Sequence, residues 1–420
     1  MFGWELYLLS PICFVPDWVN TYWWARNIQT HGLALIYAEK PLYNYPPLMA
    51  YMLWPFAKLF ENPDRLLDNL YWSKAIPLAF DFIAAAVAVK WAGDRRRELF
   101  CLLLLVANPI YLFDSDTWGQ IDSIYCALAF LTLHAMAQDR PVAAALLFTL
   151  AFNFKIQALL FAPLFALVLL WKFKNPWPVK RILAAFGAAA LLQGVILIPF
   201  LLAGQLGRMF DILKNPINYF QRISMNAFNF WHFFYGMDAI NTNDTVKVWG
   251  RVTAQQAGLA LFFGFSLLVL GPVAVRIIKS KCTNQRLAWS EENQLLMCGL
   301  IALGFFFFCT QMHERYSQPA ILFVAAYAFR TRRYWPLAVM FPAYGINMEF
   351  VFHYYVFREN LGPYFLDSRL VAAAFAILIG GLLWRYFKTL PKTDEASIAK
   401  SSPNAQAVLQ SGDNLSPGQS

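Results

Sequence analysis

Ile182-Leu-Ala-Ala-Phe-Gly-Ala-Ala-Ala-Leu-Leu-Gln-Gly-Val-Ile-Leu-Ile-Pro-Phe-Leu-Leu-Ala203 carries no charged side chain over its whole length. About 20 apolar residues wound as a helix cover the hydrocarbon core of a bilayer. Similar blocks recur near 71–92, 98–113, 121–137, 141–153, 157–171, 255–275, 293–312, 317–329, 334–353 and 369–387, each bounded by short polar stretches. With a short first block near 3–16, the spans number about twelve. The 420 residues are 59% hydrophobic and only 14% charged, with 39 Phe, 15 Trp and 19 Tyr. No soluble fold hides that much apolar surface, because aqueous cores stop growing near 250–300 residues and such chains carry about 25% charged residues. Outer-membrane barrels are excluded as well, since their strands are short and alternate. The fold class is all-α: a polytopic transmembrane helical bundle with a large first extracytoplasmic loop.

The basic excess, 34 Lys and Arg against 25 Asp and Glu, sorts by loop. Clusters at Arg95–Arg97, Lys172–Arg181, Arg276–Arg286, Arg330–Arg333 and Arg385–Lys392 mark the cytoplasmic side by the positive-inside rule, so no nucleic-acid partner is needed. Counting Pro46–Phe60 as a span would invert every later loop, so that block reads as a helix lying in the outer interface. The outer surface then comprises residues 17–69 and 204–254, with smaller turns at 114–120, 312–316 and 354–368. Both termini fall in the cytoplasm. Residues 1–388 form one membrane domain, and the Ser-, Pro-, Asn-, Gln- and Gly-rich segment 389–420 reads as a disordered tail. The six cysteines are scattered through apolar blocks with no Cys-x-x-Cys pair, and the five histidines show no metal spacing.

A transporter places ionisable groups or broken helices near the bilayer midplane. Here the unusual polar residues bunch at the outer ends of the spans. Asp81 and Gln193 are the exceptions, each within reach of an interface or of another helix. Asp17, in Pro16-Asp17-Trp18, reads either as a helix N-cap or as a general base whose half-desolvated carboxylate takes a proton. Tyr45 precedes the turn-forming pair Pro46-Pro47. The stretch from Asp114 to Asp122 places Asp114, Asp116 and Asp122 within one short segment that also holds Trp118 and Gln120. Asp114 and Asp116 suit a divalent cation through oxygen ligands, while Asp116 or Asp122 equally suits capping of the next helix. Lys155, beside Gln157, suits a phosphate or simply snorkels. Asn226-Ala227-Phe228-Asn229-Phe230-Trp231 mixes amides and aromatics suited to stacking on sugar rings or to an interface belt. His313, Glu314 and Arg315 follow an apolar block ending in Phe305–Phe308, which reads as a lipid-tail groove or a packing surface, and the basic pair suggests an anionic head group. No Gly-rich phosphate loop and no Gly-x-Ser-x-Gly elbow is present.

In this order, the early Asp, Tyr-Pro-Pro-Leu, Trp-Gly-Gln-x-Asp, Lys-x-Gln, Asn-Ala-Phe-Asn-x-Trp and His-Glu-Arg-Tyr, the chain resembles the integral-membrane GT-C glycosyltransferases from residue 17 to about 330. The nearest flavour is the bacterial members similar to lipid-linked-sugar glucosyl- and mannosyltransferases. The resemblance implies inverting transfer of a hexose, mannose or glucose, from a polyprenyl-phosphate-linked donor to a glycan or glycolipid acceptor on the extracytoplasmic face, with no cofactor required. It implies Asp17 as the catalytic base and His313, Glu314 and Arg315 as the phosphate-holding segment, assisted by Lys155, Gln157 and Arg222 near Asn226 and Trp231. Trp118, Gln120, Asp122 and Tyr45 complete the expected sugar pocket. Trp18 stands where the family often has a second acidic residue, which argues against the protein O-mannosyltransferase subtype. A transporter or flippase, or a polymerase or ligase, for a lipid-linked saccharide is the alternative reading.

Overall fold

The computed structural model describes residues 13–40, 42–60, 62–214, 220–357 and 367–393. Most of the expected first span and the tail beyond Thr393 lie outside the described residues. The chain folds as helices α1 (Val15–His31), α2 (Pro47–Leu59), α3 (Pro63–Asn69), α4 (Ala75–Ala88), α5 (Arg95–Val106), α6 (Pro109–Leu112), α7 (Asp122–Ala137), α8 (Pro141–Phe154) and α9 (Ala162–Lys172). It continues with α10 (Val179–Leu202), α11 (Leu206–Lys214), α12 (His232–Tyr235), α13 (Ala254–Thr283), α14 (Glu291–Phe308), α15 (Pro319–Thr331), α16 (Trp335–Phe352) and α17 (Ser368–Lys388). Among the described residues the sheet is confined to two antiparallel two-stranded pairs.

Five helical runs are long and apolar enough to cross a bilayer alone: Pro63–Ala92, α10, α13, α14 and α17. A sixth arises if α5 and the following run Pro109–Trp118, bent by 59°, count together. The other apolar blocks also become helices, but shorter ones. Within residues 17–69 the helix expected at Pro46–Phe60 is α2, and α1 and α3 are helical as well, with α1 packed along α2. Residues 389–393, read as tail from composition, belong to the described structure. Leu287–Ala288 pairs with Lys392–Thr393, because Asn293 ties its amide to Thr389 and holds the end of α17 against α14.

Burial sorts the helices. α14 and α15 are enclosed on nearly every side, as expected of helices apolar all round. α10 and α13 instead present Leu183, Leu191, Leu202, Phe263 and Leu267 outward. That apolar surface suits lipid rather than water. Two polar pairs inside the helices are matched: Gln193 and Asn153 exchange amide hydrogen bonds between α10 and α8, and Ser115 donates to Asp81.

The five basic clusters gather at one end. Arg97 donates to the Phe329 carbonyl at 2.6 Å, Lys281 to that of Phe173 at 2.8 Å, Arg330 pairs with Glu291 at 2.9 Å and Arg385 with Glu292 at 3.5 Å. Asp122 starts α7, Lys155 follows α8, and His313–Arg315 follows α14, all at the opposite ends of those helices. Charge sorting by loop therefore becomes a physical separation of two ends.

Candidate active site

The site is made where helices break. α1 begins after Phe14, whose backbone N–H donates to the Trp118 carbonyl at 3.0 Å and whose ring stacks on Trp118 with centroids 4.1 Å apart. Asp17 falls in the first turn of α1, yet it caps nothing: the N-cap is Phe14, and no side chain caps there. Its Oδ2 accepts the Trp118 indole N–H at 2.9 Å and lies 3.6 Å from Arg315 Nη1. Trp118 ends a π-helical turn, and Gly119 reverses the chain at φ +82°, where a Cβ would sit 3.1 Å from Lys74 Cε and 3.2 Å from the Trp18 ring. A left-handed residue in that space must be glycine. Asp122 follows at the first position of α7 and likewise caps nothing.

Lys155 occupies the extended residue between α8 and a 3-10 turn, 156–161. It does not snorkel. Its ammonium is buried, binds Asp122 Oδ1, and lies over the rings of Tyr316, Tyr125 and Tyr45 at 5.1, 5.7 and 5.8 Å. Arg315, on the short turn after α14, donates through Nε to Asp122 Oδ2 and through Nη1 to Glu314 Oε1, both at 2.9 Å. Asp122, 1% exposed, thus fixes both cations at once. A buried charge is tolerable only when paired in this way.

These groups frame a cavity of about 1000 Å³. Asp17, Tyr45, Gln120, Lys155, Gln157, His313 and Arg315, all singled out in the sequence, line it together. Tyr45 donates to Gln120 at 3.3 Å and Gln157 to the Tyr316 hydroxyl at 3.4 Å. Leu160, Leu259, Phe305 and Met312 form an apolar wall; of the phenylalanine run only Phe305 reaches it, since Phe306 and Phe307 pack inward.

Burial raises the Glu314 carboxyl to about 7, although Arg315 opposes the shift. Burial, then Arg315 and Lys155, hold the His313 imidazole well below its ordinary value, so it is neutral. Burial works against the Arg315 charge, but Asp17, Glu314 and Asp122 outweigh it and keep the guanidinium ionised. The Tyr45 phenol is pushed up to about 12, chiefly by burial, and stays protonated as a donor.

Several expected contacts fall elsewhere. Trp118, Asp122 and Glu314 stand behind the lining residues and act on them rather than on the cavity. Asn226 and Trp231 do not line it either: the segment supports the α14 end, with Trp231 Nε1 donating to the Phe308 carbonyl at 2.9 Å and Asn229 to those of Phe306 and Cys309. Asn226 sits at φ +69° in a bridge to His313, so it braces the backbone of a lining residue. Arg222 turns away and donates to the Ile240 carbonyl at 3.1 Å. Asp114 is buried with neither oxygen hydrogen-bonded by a described residue, whereas the Asp116 carbonyl receives Lys74 Nζ at 2.6 Å. Among the described residues, no group of three or more His, Cys, Asp or Glu is arranged to hold a metal ion.

Sequence reading missed Asn20, Thr21 and Trp24, which line the cavity beside Asp17. Their spacing of three, four and seven residues from Asp17 is one helical face, a signal that appears only when 15–31 is read as a helix. It also missed Arg208 on α11, and buried Asp244, which accepts from Thr310 and Gln311 at 3.0 and 2.7 Å.

Fold and site define a multi-pass helical membrane protein with a charged cavity at one end of the bundle. No family model matches the chain. It is 25% identical over 139 residues to "GPI mannosyltransferase 1" of Saccharomyces cerevisiae, a stretch covering 32% of each chain. It is also 25% identical over 123 residues to the protein of that name from Kluyveromyces lactis, covering 29% of this chain and 28% of the relative. The match spans about a third of the length of these curated relatives.

Proposed function

We propose that this chain is an integral-membrane glycosyltransferase that moves a hexose, mannose in the first instance, from a polyprenyl-phosphate-linked donor to a glycan or glycolipid. The observation that carries the reading is Asp17 at the wall of the large cavity, with Arg315, Lys155 and neutral His313 lining the same space. The partial likeness to two mannosyltransferases supports it. The cavity opens on the extracytoplasmic face, opposite the basic end; the bundle crosses the membrane about twelve times, with both termini cytoplasmic.

Trp118 and Arg315 fix Asp17 Oδ2, and no described residue hydrogen-bonds Oδ1, which serves as the base. As the acceptor oxygen forms its bond to the anomeric carbon, its proton passes to Asp17. The bond from that carbon to the phosphate oxygen breaks, and its electron pair leaves with the phosphate. Attack from the face opposite the leaving group inverts the centre. Arg315 and Lys155 stabilise charge growing on the phosphate, the interaction that strengthens between ground and transition state. The apolar wall of Leu160, Leu259 and Phe305 receives the lipid chain. No cofactor enters these steps.

Purified full-length protein, given polyprenyl-phosphate mannose and a cell-derived glycolipid fraction, is expected to add a hexose mass to the acceptor without any ion gradient. Equal transfer from a nucleotide-linked mannose alone would overturn the donor assignment. Labelling of a cysteine placed at Asn44 by an impermeant reagent on intact cells reads the face.

A further inference from the structure

We propose that a second cavity, at the end of the bundle opposite the transfer site, binds the phosphate-bearing head group of an anionic membrane lipid. It encloses about 470 Å³ between four elements: the turn ending in Trp91, Ala92 and Gly93, the start of α14 at Glu292, the end of α15 at Arg330, with Arg333 just after it, and the end of α17 at Arg385. Three arginines thus face one carboxylate. Arg330 is committed to Glu291 at 2.9 Å. Arg385 reaches Glu292 through Nη2 only at 3.5 Å, and its buried Nε–H finds no acceptor among the described residues. The Arg333 side chain makes no hydrogen bond or ion pair with the described residues.

Residual donors on planar guanidinium groups suit a phosphoryl oxygen pair, which guanidinium binds bidentately. The depth of the cavity selects a lipid over a soluble anion. Three membrane-length helical runs end around it, at Ala92, Glu291 and Lys388, and Trp91 and Trp384 stand at the same level, as aromatic residues do among head groups. A phosphate of the adjacent leaflet reaches the arginines without leaving its own layer, and the leaflet's anionic surface raises its local concentration. The positive-inside excess alone accounts for basic residues in loops; it does not account for their convergence on one cavity with an Nε–H that no described residue accepts.

The test uses purified full-length protein in phosphatidylcholine nanodiscs, titrated with phosphatidylglycerol and read by native mass spectrometry and by thermal shift. Phosphatidylglycerol is expected to be retained and stabilising, and Arg333→Gln to weaken retention about tenfold, the worth of one charge-assisted contact. Arg385→Gln acts in the same direction, and Arg333→Gln keeps the test valid if loss of the Glu292 contact unfolds that variant. Retention of phosphatidylglycerol no greater than of phosphatidylcholine, or unaltered by Arg333→Gln, overturns the site. If millimolar inorganic phosphate stabilises equally and displaces the lipid, a soluble anion is the ligand and the lipid assignment falls. Sugar transfer plays no part in these readouts, so the site stands or falls apart from the proposed activity.

Discussion

Trp118 and Trp231 are both buried, both lie in short irregular segments mixing aromatic and polar residues, and both donate the indole N–H at 2.9 Å. Trp118 gives it to the Asp17 carboxylate; Trp231 gives it to the Phe308 backbone carbonyl. Around Trp118 the polar groups are charged and converge on Asp17, Asp122, Lys155 and Arg315. Around Trp231 the amides of Asn229 and Asn347 find main-chain partners. The identity of the partner, not of the tryptophan segment, separates a site from a scaffold: neutral amides saturate on backbone, whereas buried charges must be held by one another and leave a field directed into the adjoining cavity.

Substitutions can break this contrast. Asp17→Asn keeps the shape and still accepts from Trp118, so turnover of polyprenyl-phosphate mannose is expected to fall about 10²–10⁴-fold with thermal stability nearly unchanged; transfer at the parental rate would remove Asp17 from the chemistry. Asp122→Ala leaves Lys155 and Arg315 without their shared counter-ion, and about 3–5 kcal/mol of stability should go with it, seen as a large drop in the detergent melting temperature. On the scaffold side, Asn229→Ala orphans the Phe306 and Cys309 carbonyls, with an expected loss of about 1–3 kcal/mol but normal transfer per folded molecule. Were Asn229→Ala to abolish transfer while folding normally, the division into site and scaffold would be wrong.

The smallest effect concerns Glu314. Its folded-state value near 7 lies above the ordinary 4.5, so between these two values the folded chain keeps a proton that the unfolded chain has released. Stability therefore falls as pH rises through that window. Glu314→Gln should flatten this slope in a melting-temperature series from pH 4.5 to 7, and an unchanged slope would show that the titrating group lies elsewhere.

The positions of most apolar helices were legible in the sequence, because a block such as 182–203 has no means of satisfying its backbone in lipid except as a helix. Their lengths were not, since among the described residues only five or six runs are long enough to cross alone. The separation of the basic clusters from the polar outer motifs was legible too, since charge cannot stay in hydrocarbon. Seven of the residues that line the cavity could be named from the sequence: Asp17, Tyr45, Gln120, Lys155, Gln157, His313 and Arg315 meet there. Within 17–69 the helix at Pro46–Phe60 was legible and is α2, whereas α1 was not, because it mixes polar and aromatic residues without a continuous apolar stripe. What each polar group does was decided only by tertiary contact. Asp122 reads as a cap or a pocket residue until Lys155 and Arg315 close on it from α8 and from the turn after α14. Asn226–Trp231 reads as a sugar platform until the Asn229 amide and the Trp231 indole N–H are found on the α14 carbonyls. Spacing along the chain fixes which face of a helix a residue occupies, but a hydrogen bond or ion pair needs its partner within about 3 Å. For these residues that partner lies 33 to 193 positions away in the chain.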